Sequence, residues 1–368
     1  MKDRQKKIII VFNSLNIGGI ETKILDICNY YSQKKDYQLT LVLKLKTGPL
    51  LKFLPQNIKV RYFSNSKINR FKNILFPFWL AKQFRQIKPN LIITFGNFSS
   101  IVSIIGKQLS LIKTNLIVSE DSSIDQQIEM ESFSFLRKTL IKLTYPLAQR
   151  IIVLSLISQN KLIKLLPSLK NKIIIKENWL PFRFTKSFNK KNLKKDIDIL
   201  FLARLENQKN PIRFLEIIKE VIKSKKNLKI YLVGSGSLET KIKEYISQNN
   251  LKDKIEVKPF TLVPKKYYQR SKILLISSDH EGFPLTILEA LVSNCLPVYY
   301  EIEEIDSFFK KYRHFLNYKS IKIASKKVLY LLSNLQKINE INNFYLNKVL
   351  KDQKNNFDQT INEFYKYC

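Results

Sequence analysis

At 368 residues and 45% hydrophobic content, the chain exceeds the size at which one core usually keeps growing and carries enough apolar material for two. No run of 18 uninterrupted apolar residues occurs, and Cys28, Cys295 and Cys368 are far apart, as are the only histidines, His280 and His314. A membrane span and a zinc site are therefore not expected, and a reducing cytoplasm is the natural setting. The charge is lopsided, with 64 Lys and Arg against 30 Asp and Glu, and no Asp or Glu occurs from residue 37 to residue 119.

From the N-terminus, Lys6-Lys7 leads straight into Ile8 to Phe12 and then a glycine loop, which is not a secretory pattern. Strands are predicted at 7–13, 38–43, 59–63, 91–95, 115–119, 150–155 and 172–176, with helical segments between them. That alternation favours a parallel sheet. Around 184–195 the composition turns to Lys, Asn, Ser and Phe with no core pattern. The expected division is a first domain over 1–183, a linker over 184–196, a second domain over 197–350, and a helix over 351–368 that returns to the first domain.

In the second half, a strand over 197–203 runs into a loop with Arg204, Glu206 and Lys209. Asn210-Pro211 then supplies a helix N-cap and a proline suited to the first helical position. Two cations beside a helix start at a strand end suit a diphosphate as well as a solvated pair, with Glu206 as a local counter-charge. Gly234-Ser235-Gly236-Ser237 follows a strand over 229–233 and signals close backbone approach or a tight turn. The apolar run Ile273 to Ser277 reads as a buried strand, and the stretch from Asp279 to Ala290 follows it. There Gly282 permits close approach of backbone to a ligand, and Pro284 suits the first turn of a helix over 284–294. Thr286, Glu289 and Ser293 form its one polar stripe. A carboxylate on so apolar a helix needs partners, and ribose hydroxyls or backbone amides would serve. Asp196-Ile197-Asp198 looks like an Asp-x-Asp metal motif, but it opens a strand rather than closing one and reads as a solvated strand start.

Together these residues resemble the C-terminal domain of retaining GT-B glycosyltransferases, the glycogen-synthase-like and lipopolysaccharide glycosyltransferase group whose signature is a glutamate pair spaced like Glu281 and Glu289. The resemblance implies an α/β fold of two Rossmann-like parallel-sheet domains facing a central cleft. It implies that Arg204 and Lys209 bind the donor diphosphate, that Glu281 and the amides of Gly282, Phe283, Pro284 and Leu285 hold the donor sugar, and that Glu289 binds the ribose. Gly234 would lie near the nucleotide base, and Gly18 and Gly19 are similar to the family's N-terminal glycine loop. No metal is required in that family. The sequence departs from the pattern at Ser119-Glu120-Asp121-Ser122, where many relatives carry a donor-contacting histidine; Glu120 and Asp121 are the acceptor-side candidates there, set against a reading in which they cap the next segment. Asn294 replaces a common glycine, and Asn tolerates the left-handed backbone that a turn needs.

The basic excess is interleaved with aromatic and aliphatic residues between Arg70 and Lys88, and again from Phe133 to Tyr145. Such a pattern suits an anionic membrane surface, where each Lys or Arg contributes about 1 kcal/mol. A base-composition bias of the genome would also produce Lys excess. Nucleic acid is not expected as a partner, because no recognised binding motif accompanies the charge. The expectation is a cytoplasmic transferase, peripheral on the inner leaflet of the plasma membrane. It would move a hexose or N-acetylhexosamine from a nucleoside diphosphate sugar, a UDP-sugar ahead of a GDP-sugar, to a lipid-linked or other cell-surface glycan precursor with retention of configuration. The alternatives are a non-catalytic GT-B partner subunit and a GT-B sugar-nucleotide epimerase.

Overall fold

The structure, a computed structural model, describes residues 5–65, 70–121, 134–185 and 194–368. The chain divides into two compact units, one comprising the residues up to Asn178 together with Asn356–Cys368, the other Trp179–Asn355. Of the linker expected over 184–196, residues 186–193 lie outside the described residues, as does Ser122.

Unit 1 contains β1 (Lys6–Phe12), α1 (Gly19–Ser32), β2 (Tyr37–Leu45), β3 (Lys59–Ser64), α2 (Arg70–Ile87), β4 (Leu91–Phe95), α3 (Asn97–Ser110), β5 (Asn115–Glu120), α4 (Ser134–Thr144), β6 (Arg150–Val153), α5 (Leu156–Leu165) and β7 (Ile173–Ile175). The strands form one sheet in the order β3-β2-β1-β4-β5-β6-β7, with every pairing parallel. A parallel sheet covered on both faces requires apolar residues on both sides of each strand, which is why Ile8-Ile9-Ile10-Val11 and Leu91-Ile92-Ile93 read as unbroken apolar runs. Phe76, Leu80 and Phe84 of α2 share a core with Ile101 and Ile104 of α3 and Ile141 of α4. At the α2–α3 crossing, a Cβ on Gly106 would sit 3.0 Å from both the Leu80 Cβ and the Pro77 carbonyl oxygen.

Unit 2 contains β8 (Ile197–Leu202), α6 (Pro211–Ser224), β9 (Ile230–Val233), α7 (Glu239–Gln248), β10 (Ile255–Lys258), α8 (Pro264–Arg270), β11 (Ser271–Ile276), α9 (Leu285–Val292), β12 (Leu296–Tyr300), β13 (Asn317–Tyr318) and α10 (Ile321–Ser333). Its sheet is also parallel, in the order β10-β9-β8-β11-β12-β13. The last helix, α11 (Leu335–Tyr365), begins well before the 351–368 segment expected to be helical. Its final part belongs to unit 1, where the Tyr365 and Tyr30 hydroxyls are 2.8 Å apart and Tyr365 packs on Tyr37 and Tyr31.

In unit 2, chain progression runs from β8 outward to β9 in one direction and from β11 to β12 in the other. The loops after β8 and β11 therefore leave the sheet side by side at the point where strand order reverses, the usual ligand address in open α/β sheets.

Candidate active site in the second unit

The β8 loop meets the β11 loop residue by residue. Asn210 caps α6 through its side chain, which accepts from the Arg213 amide at 3.1 Å, and Pro211 is the first helical residue. Asn210 stands at φ 44°, a left-handed conformation that its short polar side chain tolerates. The turn presents Lys209 towards β11, where Lys209 Nζ lies 2.5 Å from Glu281 Oε1. Ser278 donates to the same carboxylate oxygen at 2.6 Å. Glu281 is buried, and Oε2 accepts no hydrogen bond from the described residues.

Further cross-links fix the pair. Asp279 donates its amide to the Gln208 carbonyl at 2.9 Å, Gln208 donates to the His280 carbonyl at 3.2 Å, and Ser277 Oγ donates to the Asn210 carbonyl at 2.9 Å. Arg213 pairs with Asp279 at 2.7 Å, donates to the Ser277 carbonyl at 2.9 Å, and lies over the Tyr300 ring at 3.9 Å. A cation held at both faces keeps the loop in place, as charge-assisted bonds are roughly twice as strong as neutral ones. Arg204 is much less constrained: its one described hydrogen bond, to Gln208, is 3.4 Å long.

Helix α9 begins at Leu285, and Pro284 is its N-cap in extended conformation (φ −71°, ψ 129°) rather than its first helical residue. Its N-cap proline makes no side-chain cap hydrogen bond, and the N-terminus carries a partial positive charge. The helix is buried nearly all round, through Leu285, Ile287, Leu288, Ala290 and Leu291. Each of these leucines and the isoleucine contributes roughly 1.5–3 kcal/mol. The helix stops at Val292, and Asn294 follows at φ 56°, in the left-handed turn its residue type permits.

Glu289 is buried and accepts from Arg183 Nη2 at 2.8 Å. Arg183 went unnoticed in the sequence, where it stands just before the patternless stretch over 184–195 with no local signal of its own. Tyr268 of α8 is fully buried near Glu289, and its hydroxyl makes no hydrogen bond of normal geometry among the described residues. Burial raises the Tyr268 hydroxyl well above the ordinary phenol value, and the Glu289 carboxylate raises it further. Lys195 supports the same helix from its other end, donating to the carbonyls of Tyr268, Ser271 and Ser293.

The glycine-rich loop has a structural cause. A Cβ on Gly234 would lie 2.0 Å from the Ala203 carbonyl oxygen, and one on Gly236 2.5 Å from that of Leu205. Glu206 accepts from the amide and hydroxyl of Ser237 at 3.0 and 2.5 Å, so it holds this loop rather than serving as a counter-charge to Arg204 and Lys209. The Asp196 and Asp198 pair is not solvated as expected. Arg270 and Lys229 grip Asp196 at 2.6 and 2.9 Å, and Lys272 grips Asp198 at 2.6 Å. The Arg270 bond in particular holds the Asp196 carboxyl well below the usual carboxylate range.

In unit 1, Gly18 is the N-cap of α1 and Gly19 its first residue; the Gly18 carbonyl accepts from Thr22 Oγ1 at 2.9 Å. Glu120 ends β5, is 2% exposed, and accepts from the Tyr145 hydroxyl at 2.5 Å, while its Oε1 has no hydrogen-bond partner among the described residues. Burial pushes its carboxyl up to about 8 against the opposing pull of Tyr145. Asp121 pairs with buried Lys23 of α1 and accepts from Ser119 at 3.0 Å. Neither carboxylate is shown to cap the following segment, since residues 122–133 lie outside the described residues.

The sequence model of the family Glycosyl transferases group 1 matches residues 183–344, which span the whole loop constellation of unit 2. The chain is a glycosyltransferase, and the part of it that matches group 1 is its second unit. It is 26% identical over 315 residues to a Campylobacter jejuni enzyme, GalNAc-alpha-(1->4)-GalNAc-alpha-(1->3)-diNAcBac-PP-undecaprenol alpha-1,4-N-acetyl-D-galactosaminyltransferase, covering 82% of this chain and 79% of that one. It is also 26% identical over 289 residues to the amylovoran biosynthesis glycosyltransferase AmsD of Erwinia amylovora, covering 77% of this chain and 78% of the relative. Among solved structures, Anabaena HepE in complex with UDP and glucose superposes with a TM-score of 0.79 at 15% identity, over 99% of this chain and all of that one. Staphylococcus aureus TarM, solved with UDP, fondaparinux and alpha-GlcNAc-glycerol, gives 0.76 at 14% identity over 98% of this chain. These likenesses assign the GT-B fold, and the glycosyltransferase transfers a sugar from a nucleotide-sugar donor.

Proposed function

We propose that this glycosyltransferase moves a hexose or N-acetylhexosamine from a UDP-sugar to a lipid-linked precursor of a cell-surface glycan, with retention of configuration, at the inner leaflet of the plasma membrane. The observation that carries the donor site is the Lys209–Glu281 pair beside the N-terminus of α9, with Glu281 Oε2 left unbonded. A cation, a helix N-terminus and an available carboxylate oxygen are what a sugar diphosphate requires: positive charge for the diphosphate and an acceptor for sugar hydroxyls. Glu289 takes the ribose, and Gly282 to Leu285 line the sugar. The UDP-bound neighbours favour uracil over guanine.

In the transfer, the bond from the anomeric carbon to the diphosphate breaks and the diphosphate leaves with the electron pair. The acceptor oxygen bonds to that carbon from the same face, and its proton passes to the departing phosphate. The enzyme's main task is then to stabilise charge on the leaving group, and Lys209, Arg204 and the helix N-terminus supply it, worth about 3 to 4 kcal/mol for one preorganised donor. Glu281 orients the sugar and holds Lys209 in place.

Calorimetric titration of UDP, GDP and their sugars against the wild type and Lys209→Ala tests the assignment. Micromolar binding of one base, weakened at least about tenfold in the variant, is expected from loss of one charge-assisted contact. Equal binding by the variant would remove Lys209 from the diphosphate site. Tight donor binding without transfer to any lipid-linked acceptor would turn the reading towards a partner subunit.

A further inference from the structure

Helices α2, α3 and α4 form one layer over the unit 1 sheet, and the outward side of that layer is unusual. On α2, Ile74, Leu75 and Phe78 point outward, and Lys82 continues the same stripe one turn further on. On α4, Phe135, Leu136 and Leu143 do the same, with exposed Lys138 and Lys142 among them. The six apolar side chains are between 55 and 82% exposed. Core needs do not explain them, since the inward faces already supply Phe76, Leu80, Phe84 and Ile141 to the buried cluster. Three such groups on each of two helices that both pack on α3 are clusters, rather than the scattered single exposures of an ordinary surface.

We infer that this face, centred on Phe78 of α2 and Phe135 of α4, is the surface that inserts into an anionic phospholipid bilayer. The reading rests on the proposal that transfer takes place at a membrane, and it names the groups that enter the lipid. Charge decides the occupant. None of the three helices carries an Asp or Glu, so every charged side chain on the helices that bear the apolar ridge is basic. A face of this kind matches a bilayer with anionic headgroups above an apolar interior. It does not match a second copy of itself, because that would set Lys82, Lys138 and Lys142 against their equivalents. The basic residues draw the domain to the surface, and the phenylalanines and aliphatic tips then bury beneath the headgroups.

The test is co-sedimentation of the full chain with vesicles of phosphatidylcholine alone or mixed with phosphatidylglycerol, at physiological and at high salt. The wild type is expected on the mixed vesicles, and a fraction should persist at a salt concentration that strips charge-only binders. Phe78→Ser with Phe135→Ser keeps every charge and should lower partitioning about tenfold or more, since each phenyl group removed from lipid forfeits its burial. Lys82→Glu with Lys142→Glu should bind only in low salt. Absence of wild-type binding to mixed vesicles overturns the membrane location itself. Wild-type binding that the serine pair leaves unchanged overturns this face alone. A dimer that the serine pair dissociates would make the ridge a contact between copies and also overturn the proposal. Circular dichroism and unchanged transfer to a soluble acceptor keep the serine variant's fold under control.

Discussion

The carboxyl ends of the two parallel sheets treat their carboxylates in opposite ways. In unit 2, Glu281 is buried yet keeps a cation at 2.5 Å, a hydroxyl at 2.6 Å and an unbonded oxygen. In unit 1, Glu120 is as deeply buried, but its one partner is the neutral phenol of Tyr145, and its carboxyl is pushed up to about 8. The adjacent Asp121 is paired and sealed by Lys23. Burial alone thus makes no anionic site. An ammonium beside a buried carboxylate favours the charged form, whereas burial with a hydroxyl as partner raises the Glu120 carboxyl. The difference argues for donor chemistry on the Glu281 side and for a proton-holding structural role at Glu120.

The largest expected effect tests the cation-paired side. Glu281→Ala should lower transfer about hundredfold or more, the usual scale for removing one preorganised charge-orienting group, with donor affinity falling less. Progress curves with saturating donor separate the two, and a variant retaining wild-type turnover would place the chemistry elsewhere.

Arg183→Ala strands Glu289 without its cation. Breaking a fully buried pair costs about 3–5 kcal/mol. Because the Arg183 side chain is 40% exposed, screening should bring the loss to about 1–2 kcal/mol in denaturant unfolding. Arg183→Lys should recover part of it. If Arg183 also positions Glu289, nucleotide affinity should fall for UDP but not for an analogue lacking the ribose hydroxyl that Glu289 contacts, an outcome that mere destabilisation would not produce.

The neutral side is tested by pH. The folded-state value of Glu120 lies above its unfolded one, so its contribution is fully present below the ordinary carboxylate range and is lost as pH rises through about 8. Wild-type stability should decline across that window. Glu120→Gln, which keeps an oxygen for Tyr145, should flatten the decline and be the more stable protein at pH 9, as melting at several pH values would show. A variant whose decline runs parallel to the wild type would remove Glu120 as its cause.

The smallest effect on folding belongs to Arg204, held by a single long bond. Arg204→Ala should leave the melting temperature within about a degree, as surface substitutions do. Diphosphate binding should still weaken about tenfold. A variant that melts early would show the side chain to be structural.

Much of the second unit was legible because its signals are local. An apolar run ending before Asp279, an Asn-Pro helix start and a polar stripe on a buried helix each follow from the chemistry of neighbouring residues. What lay beyond reach were partners far along the chain. Arg183 finds Glu289 across 106 residues, and Lys23 finds Asp121 across 98. Glycine at 234 signalled close backbone approach or a tight turn, but not that the group it approaches is the Ala203 carbonyl. The apolar residues of α2 raised the same ambiguity, since composition does not tell inward Phe76 from outward Phe78.

By itself, the sequence determined the alternating strands and helices, the strand-end address of Arg204, Lys209 and Glu281, and the glutamate pair, since periodicity and turn chemistry act over a few residues. Only the tertiary structure decided which carboxylates keep a cation, which glycines serve packing, and which side of α2 faces out. Charge state and burial depend on atoms that the chain brings together from distant positions.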